Sequence, residues 1–255
     1  MKEKERKREK TMEKQNQKKS TGKILVFTVL LFGILFFSSI ALATPTGPSS
    51  INITANETRA TTSGQIVNIS GGIISKINIT ASVQNPHWKA FVGWIDGRFT
   101  LDDSSGSTIY DWTLTSVGGE VYATRASGVA SWATISCADA AEITAESIVL
   151  SQDGEDRINT TFTAAANTQT FVVAGTTISA GACSSTNTYV NNATQSTVFE
   201  EVILHDTTNI IFATILEEDE PGYDGSDYDF QMLVPEVALD TWSSSTAYYL
   251  YVELS

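Results

Sequence analysis

From residue 65 to its last residue the chain alternates apolar and polar side chains at period two, in short runs punctuated by Gly, Ser and Asp. That period puts successive side chains on opposite faces of a strand, so such a chain buries its apolar half only by building sheets. Candidate strands cover 65–70, 74–82, 89–94, 97–101, 108–114, 120–124, 147–150, 157–163, 170–173, 197–205, 209–216, 228–234 and 246–254. One short helix is a candidate near "CADAAEITAES" at 137–147. So many short strands between turn residues predict an all-β fold, an antiparallel β-sandwich of jelly-roll-like type. The clearest hairpin is "RFTLDDSSGSTIYDWTL", in which Phe99 and Leu101 share a face that Tyr110, Trp112 and Leu114 can meet across the turn.

A different pattern precedes the alternation. Residues 1–23 hold ten Lys/Arg against four Glu and no hydrophobic periodicity, the composition of a basic cytosolic n-region. Residues 24–43, "ILVFTVLLFGILFFSSIALA", are uncharged and largely apolar. As a single N-terminal hydrophobic helix they are long enough to span a hydrocarbon core of about 30 Å. The positive-inside rule then sends everything after residue 43 across the membrane. "Ala41-Leu42-Ala43" offers the small residues a signal peptidase reads, so this is a signal peptide h-region or, if uncleaved, a membrane anchor. A prepilin-type cut after Gly22 is a third route. All three put the remainder outside the cytoplasm, with residues 44–63 as an extended linker or donor strand and 64–255 as the β-sandwich domain.

The exported part keeps six of the 16 Lys/Arg and 25 of the 29 Asp/Glu, a net charge of −19. Such a surface repels nucleic acid and anionic lipid and suits divalent cations, high salt or a basic partner. No membrane contact is expected except through residues 24–43. The two cysteines, Cys137 and Cys183, both lie in this part, and in an oxidising compartment they are expected to form one disulfide.

Six Asn-x-Ser/Thr sequons occur, at Asn52, Asn56, Asn68, Asn78, Asn159 and Asn192. "INITA" appears at 51–55 and again at 77–81, with "VNIS" at 67–70. In an extended "INIT" the Asn and Thr share one face and the two Ile the other, so the acceptor faces solvent when the Ile are buried. The stretch "TPTGPSSINITANETRATTSGQ" can serve as a glycosylated linker or as a strand that pairs with a neighbouring copy.

No cofactor-binding motif is present, and the one ion the chain invites is calcium. The segment "EEDEPGYDGSDYDF" at 217–230 holds seven carboxylates and no cation. Asp224, Asp227 and Asp229 are the subset whose alternation lets them converge as oxygen ligands, and the rest read as a solvated turn. "Asp153-Gly154-Glu155-Asp156" is a second, similar cluster. The two histidines, His87 and His205, lack metal spacing, and there is no Gly-x-Ser-x-Gly elbow and no phosphate loop. An enzyme is therefore not expected. Trp88 and Trp94 in "HWKAFVGWIDG", with Tyr249 in the last strand, are candidates for stacking on sugar rings if exposed, and for core packing otherwise.

In "WKAFVGWIDGRFTLDD…IYDW…GEVYAT" and "YDGSDYDFQMLVPE…TAYYLYVEL" the chain resembles a group of exported archaeal β-rich cell-surface or secreted proteins without assigned function. The resemblance covers most of residues 75–255 and carries no catalytic residues. It implies an archaeal cell-surface or secreted location. Together with the residues above, it leads to the expectation of an extracellular structural or adhesive protein, a homo-oligomer or filament assembled through edge strands. The alternatives are a secreted module that binds surface glycans and, behind it, a secreted hydrolase.

Overall fold

A computed structural model describes residues 44–68, 70–129, 131–163, 167–237 and 245–255. The n-region 1–23 and the apolar stretch 24–43 lie outside the described residues. Among the described residues no helix is long and apolar enough to cross a membrane. The described strands in chain order are β1 (Trp88–Gly93), β2 (Arg98–Asp102), β3 (Thr108–Thr113), β4 (Gly119–Thr124), β5 (Ser136–Cys137), β6 (Phe171–Val173), β7 (Thr176–Ile178), β8 (Ser185–Val190), β9 (Thr194–His205), β10 (Ile210–Ile215), β11 (Glu220–Pro221), β12 (Asp227–Tyr228), β13 (Phe230–Pro235) and β14 (Tyr249–Leu254). Two helices, α1 (Ala140–Val149) and α2 (Ile158–Thr161), lie between β5 and β6.

Six strands make one sheet in the order β14-β4-β10-β9-β5, with β8 also on β9. The other eight form two-stranded ribbons: β1 with β13, β2 with β3, β6 with β7 and β11 with β12. Every pairing between the described strands is antiparallel, as expected for sequential short strands joined by tight turns. The fold is thus mostly β and antiparallel.

The central sheet is apolar on both faces, which is why "IIFATI" of β10 is buried at all its positions. On one face Val121, Ala123, Ile203, Ile210 and Phe212 pack with Ile143, Leu150, Ile158 and Phe162 of the helical segment and with Met232 and Val234 of β13. On the other, Tyr122, Val202, Leu204, Ile211 and Ala213 pack with Phe171, Val173 and Ile178 of the β6–β7 ribbon. β5 and β8 share one edge of β9, and the expected disulfide joins Cys137 of β5 to Cys183, two residues before β8 (Cα–Cα 4.9 Å). Closing that loop restricts the unfolded chain and stabilises the fold by about 4 kcal/mol on loop-closure entropy.

Helix α1 forms where a short helix was expected and runs further. Asp139 accepts from the backbone N–H of Ala141 and Glu142, and the Glu142 carboxylate accepts in return from the Asp139 N–H. This capping box starts the helix, and no breaker stops it before Val149. The expected strand 147–150 is therefore helical. The expected strand at 157–163 is also a helical turn, because Ile158 and Phe162, four residues apart, both enter the core. Two further expected strands, 65–70 and 74–82, are absent. Their described residues form neither strands nor bridges, and the first strand pairing after Thr46 is at Trp88.

Candidate assembly surface

Every described residue from Thr46 to Asn85 is exposed. The apolar half of the alternation, which sequence logic assigned to a core, is bare: Ile51, Ile53, Ile66, Val67, Ile73, Ile74, Ile77, Ile79 and Val83 are between 61% and 96% exposed. A strand needs a second strand to accept its N–H groups, and alternation alone does not provide one. The segment touches the main sheet at one point. Thr46 and Val252 exchange both backbone hydrogen bonds, at 3.0 and 2.8 Å, on the outer edge of β14. Pro48, which has no N–H to give, follows two residues later and the pairing stops.

The β2–β3 hairpin is the second uncovered region. The expected hairpin forms, with Phe99 opposite Trp112 and Leu101 opposite Tyr110. Asp103 closes the turn by accepting from the N–H of Ser105 and Ser107. Tyr110 and Trp112 meet edge to face, with ring centroids 4.9 Å apart. Arg98 and Asp111 form an ion pair at 2.9 Å, and a register shift at Leu101/Asp102 leaves Ile109 unpaired and 80% exposed. Yet all eleven residues of the two strands are exposed, and the apolar quartet is 42–60% exposed.

The acidic stretch does not gather its carboxylates. Asp229 is buried and spends both oxygens on backbone: Oδ2 accepts from the Ile95 N–H at 2.7 Å and Oδ1 from the Asp219 N–H at 3.1 Å. Asp224 accepts from the Ser226 N–H and the Tyr228 hydroxyl. Asp227 is exposed, and its carbonyl accepts from Trp94 Nε1 at 2.8 Å. Among the described residues no group of three or more acids, histidines or cysteines is arranged to hold a metal ion. Of the expected trio Asp224, Asp227 and Asp229, Asp229 is turned inward and ties the 217–229 loop to the strand end at Ile95. In the second cluster Asp156 clamps the entry to β1, accepting from Asn85 Nδ2 (2.7 Å) and pairing with His87 Nδ1 (2.8 Å). His205 pairs with Glu142 at 2.6 Å.

Asn52, Asn56, Asn68 and Asn78 lie in the exposed segment, and Asn192 sits at the tip of the β8–β9 hairpin with a positive φ of 50°. Asn159 differs. It lies on α2, donating from Nδ2 to Thr144 Oγ1 and accepting from Ser147 Oγ, so the nitrogen that would carry a glycan is already turned toward α1. Of the aromatic candidates, Trp94 is 59% and Tyr249 45% exposed. Trp88 packs against the core beside Phe162 and donates to the Asp156 carbonyl.

Sequence reasoning missed a set of buried acids. Glu120 and Glu253 are cross-strand partners on β4 and β14, both buried. The Tyr122 hydroxyl reaches Glu120 at 3.3 Å and Glu253 at 3.0 Å, and Glu253 accepts the Ala174 N–H at the tip of the β6–β7 turn. Burial, followed by the charge of Glu253, pushes Glu120 up to about 8; burial also raises Glu253. Glu201, fully buried, accepts from the Leu233 N–H through Oε2 while Oε1 has no partner, and its burial raises it well above the usual carboxylate range. The available signal was parity: in "GEVYAT" and "YLYVEL" the acids fall in strands that are apolar on both faces. No protein-family model, curated protein or solved structure matches the chain.

Proposed function

We propose that this is an extracellular structural or adhesive protein of an archaeal cell, exported by its N-terminal apolar stretch, that self-assembles through unpaired strands. The observation that carries the reading is the bare segment from residue 46 to 85. A soluble protein rarely leaves that much alternating apolar surface uncovered unless something pairs with it. Export fits the disulfide between Cys137 and Cys183, which oxidising compartments preserve. The jelly-roll-like sandwich belongs to the same reading, with the β1–β13 ribbon packed over the central sheet as its second layer. Glycans at Asn52, Asn56, Asn68, Asn78 and Asn192 would shield the polar face of the segment and the hairpin tip. Deleting residues 46–85, the whole bare segment, from the full chain tests the reading by electron microscopy and native mass. Loss of higher-order species is the expected result, and an assembly unchanged by the deletion sinks it.

Exposure of Trp94 and Tyr249 favours one alternative, a secreted carbohydrate-binding module. Retardation in polysaccharide gels that disappears in Trp94→Ala would move the assignment to that reading.

A further inference from the structure

Two uncovered surfaces in one chain fit each other. The first is the apolar face of the β2–β3 hairpin, Phe99, Leu101, Tyr110 and Trp112, and an isolated two-stranded ribbon is marginal in water without a further strand or a covering layer. The second is the stretch "IISKINITASV" at 73–83, which has strand alternation and nothing to pair with. We infer that residues 73–83 of a second copy add to the free edge of this hairpin as a third strand, with Ile77 and Ile79 extending its apolar face. This rests on the assembly reading above and names the two surfaces that meet.

Four features of the molecule support it. The chain itself leaves both surfaces uncovered, so the pairing is not satisfied within one copy. Their charges are complementary. Residues 73–83 carry Lys76 and no acid, a net +1, whereas residues 96–114 carry Arg98 against Asp96, Asp102, Asp103 and Asp111, a net −3. The same contrast holds at large: residues 44–85, with Arg59 and Lys76 against Glu57, are at +1, and the remainder of the exported part is at −20. A second copy thus brings a segment without net negative charge to an acidic hairpin, which favours this contact over one between two acidic surfaces. Parity completes the fit. Asn78 and Thr80 lie opposite Ile77 and Ile79, so a glycan on Asn78 projects away from the joined apolar face. Strand addition of this kind takes affinity from main-chain hydrogen bonds and register from alternate side chains.

The test uses full chains in two isotopic populations. Ile79→Cys in the light population is mixed with Leu101→Cys or Tyr110→Cys in the heavy one, and with Ile148→Cys, which lies exposed on α1, as control. Light–heavy disulfide dimers at Leu101 or Tyr110, in excess over the Ile148 control, are expected. Separately, Phe99→Ser/Trp112→Ser should weaken assembly about tenfold or more, as loss of interface aromatics does. Both rings are exposed in the single chain, so the variant should fold. Light–heavy cross-links no stronger than the control overturn the inference, as does a hairpin variant that assembles like wild type. In those cases wild-type assembly still stands and only this contact is lost. A wild-type chain that stays monomeric at all concentrations removes both this contact and the assembly reading.

Discussion

β10, "IIFATI", and the stretch "IISKINIT" at 73–80 are both rich in Ile and both open on an Ile pair, yet every position of β10 is buried and every position of the second is exposed. The difference lies in their neighbours. β10 runs between β4 and β9, which accept its backbone groups on both edges, and it has an apolar layer over each face. Residues 73–80 have no strand beside them. β-propensity describes how well a side chain fits a pleated, half-buried surface, and it is realised only where such a surface exists.

The sharpest way to break this comparison is to truncate matching isoleucines. Ile211→Ala empties a site in the fully buried layer between β10 and the β6–β7 ribbon and should cost about 3 kcal/mol, read as a shift in denaturation midpoint at constant m. A cost below about 1 kcal/mol would mean that the central sheet is far looser than its burial implies.

The second difference is electrostatic. The exposed segment has one acid, Glu57, whereas the body buries Glu120, Glu201 and Glu253, all with raised pKa values. Between the ordinary value of 4.5 and about 8, folded Glu120 holds a proton that the unfolded chain has released. Stability is then greatest below the lower value and falls as pH rises, by up to about 1.4 kcal/mol per unit for this group. Chemical denaturation between pH 5 and 8 should show the decline in wild type and a shallower one in Glu120→Gln. Parallel curves would remove Glu120 from the account, leaving Glu201 and Glu253 to explain any slope.

The smallest effect belongs to the segment itself. Ile79→Ser should change the stability of the single chain by less than about 0.5 kcal/mol, because a side chain 76% exposed loses little on truncation. A loss of 2 kcal/mol or more would show that the segment packs against its own domain, and the contrast with β10 would collapse.

Most of the body was legible in the sequence. The strands at 89–94, 108–114, 120–124, 197–205 and 209–216 and the β2–β3 hairpin were readable because alternation and turn residues agree there. Strands β5, β7 and β8 were not, being very short or, as in "STNTYV", polar on both faces; their pairing depends on the long β9 beside them. The run "SIVL" at 147–150 misled because four apolar-rich residues fit a helix as well as a strand, and the Asp139 capping box, eight residues upstream, decides which. The acidic loop differs in another way. Alternation set Asp227 and Asp229 on one side, but the Ile95 N–H, remote in sequence, captures the Asp229 carboxylate.

By itself the sequence determined that this chain would be β-rich, antiparallel and cross-linked through its two cysteines, because period-two alternation, turn residues and an even cysteine count act locally or by counting. Which alternating segments find partners was decided only by the tertiary structure. A strand's hydrogen bonds and half of its burial come from residues far along the chain, and six strands close one sheet that leaves residues 46–85 and the β2–β3 face uncovered.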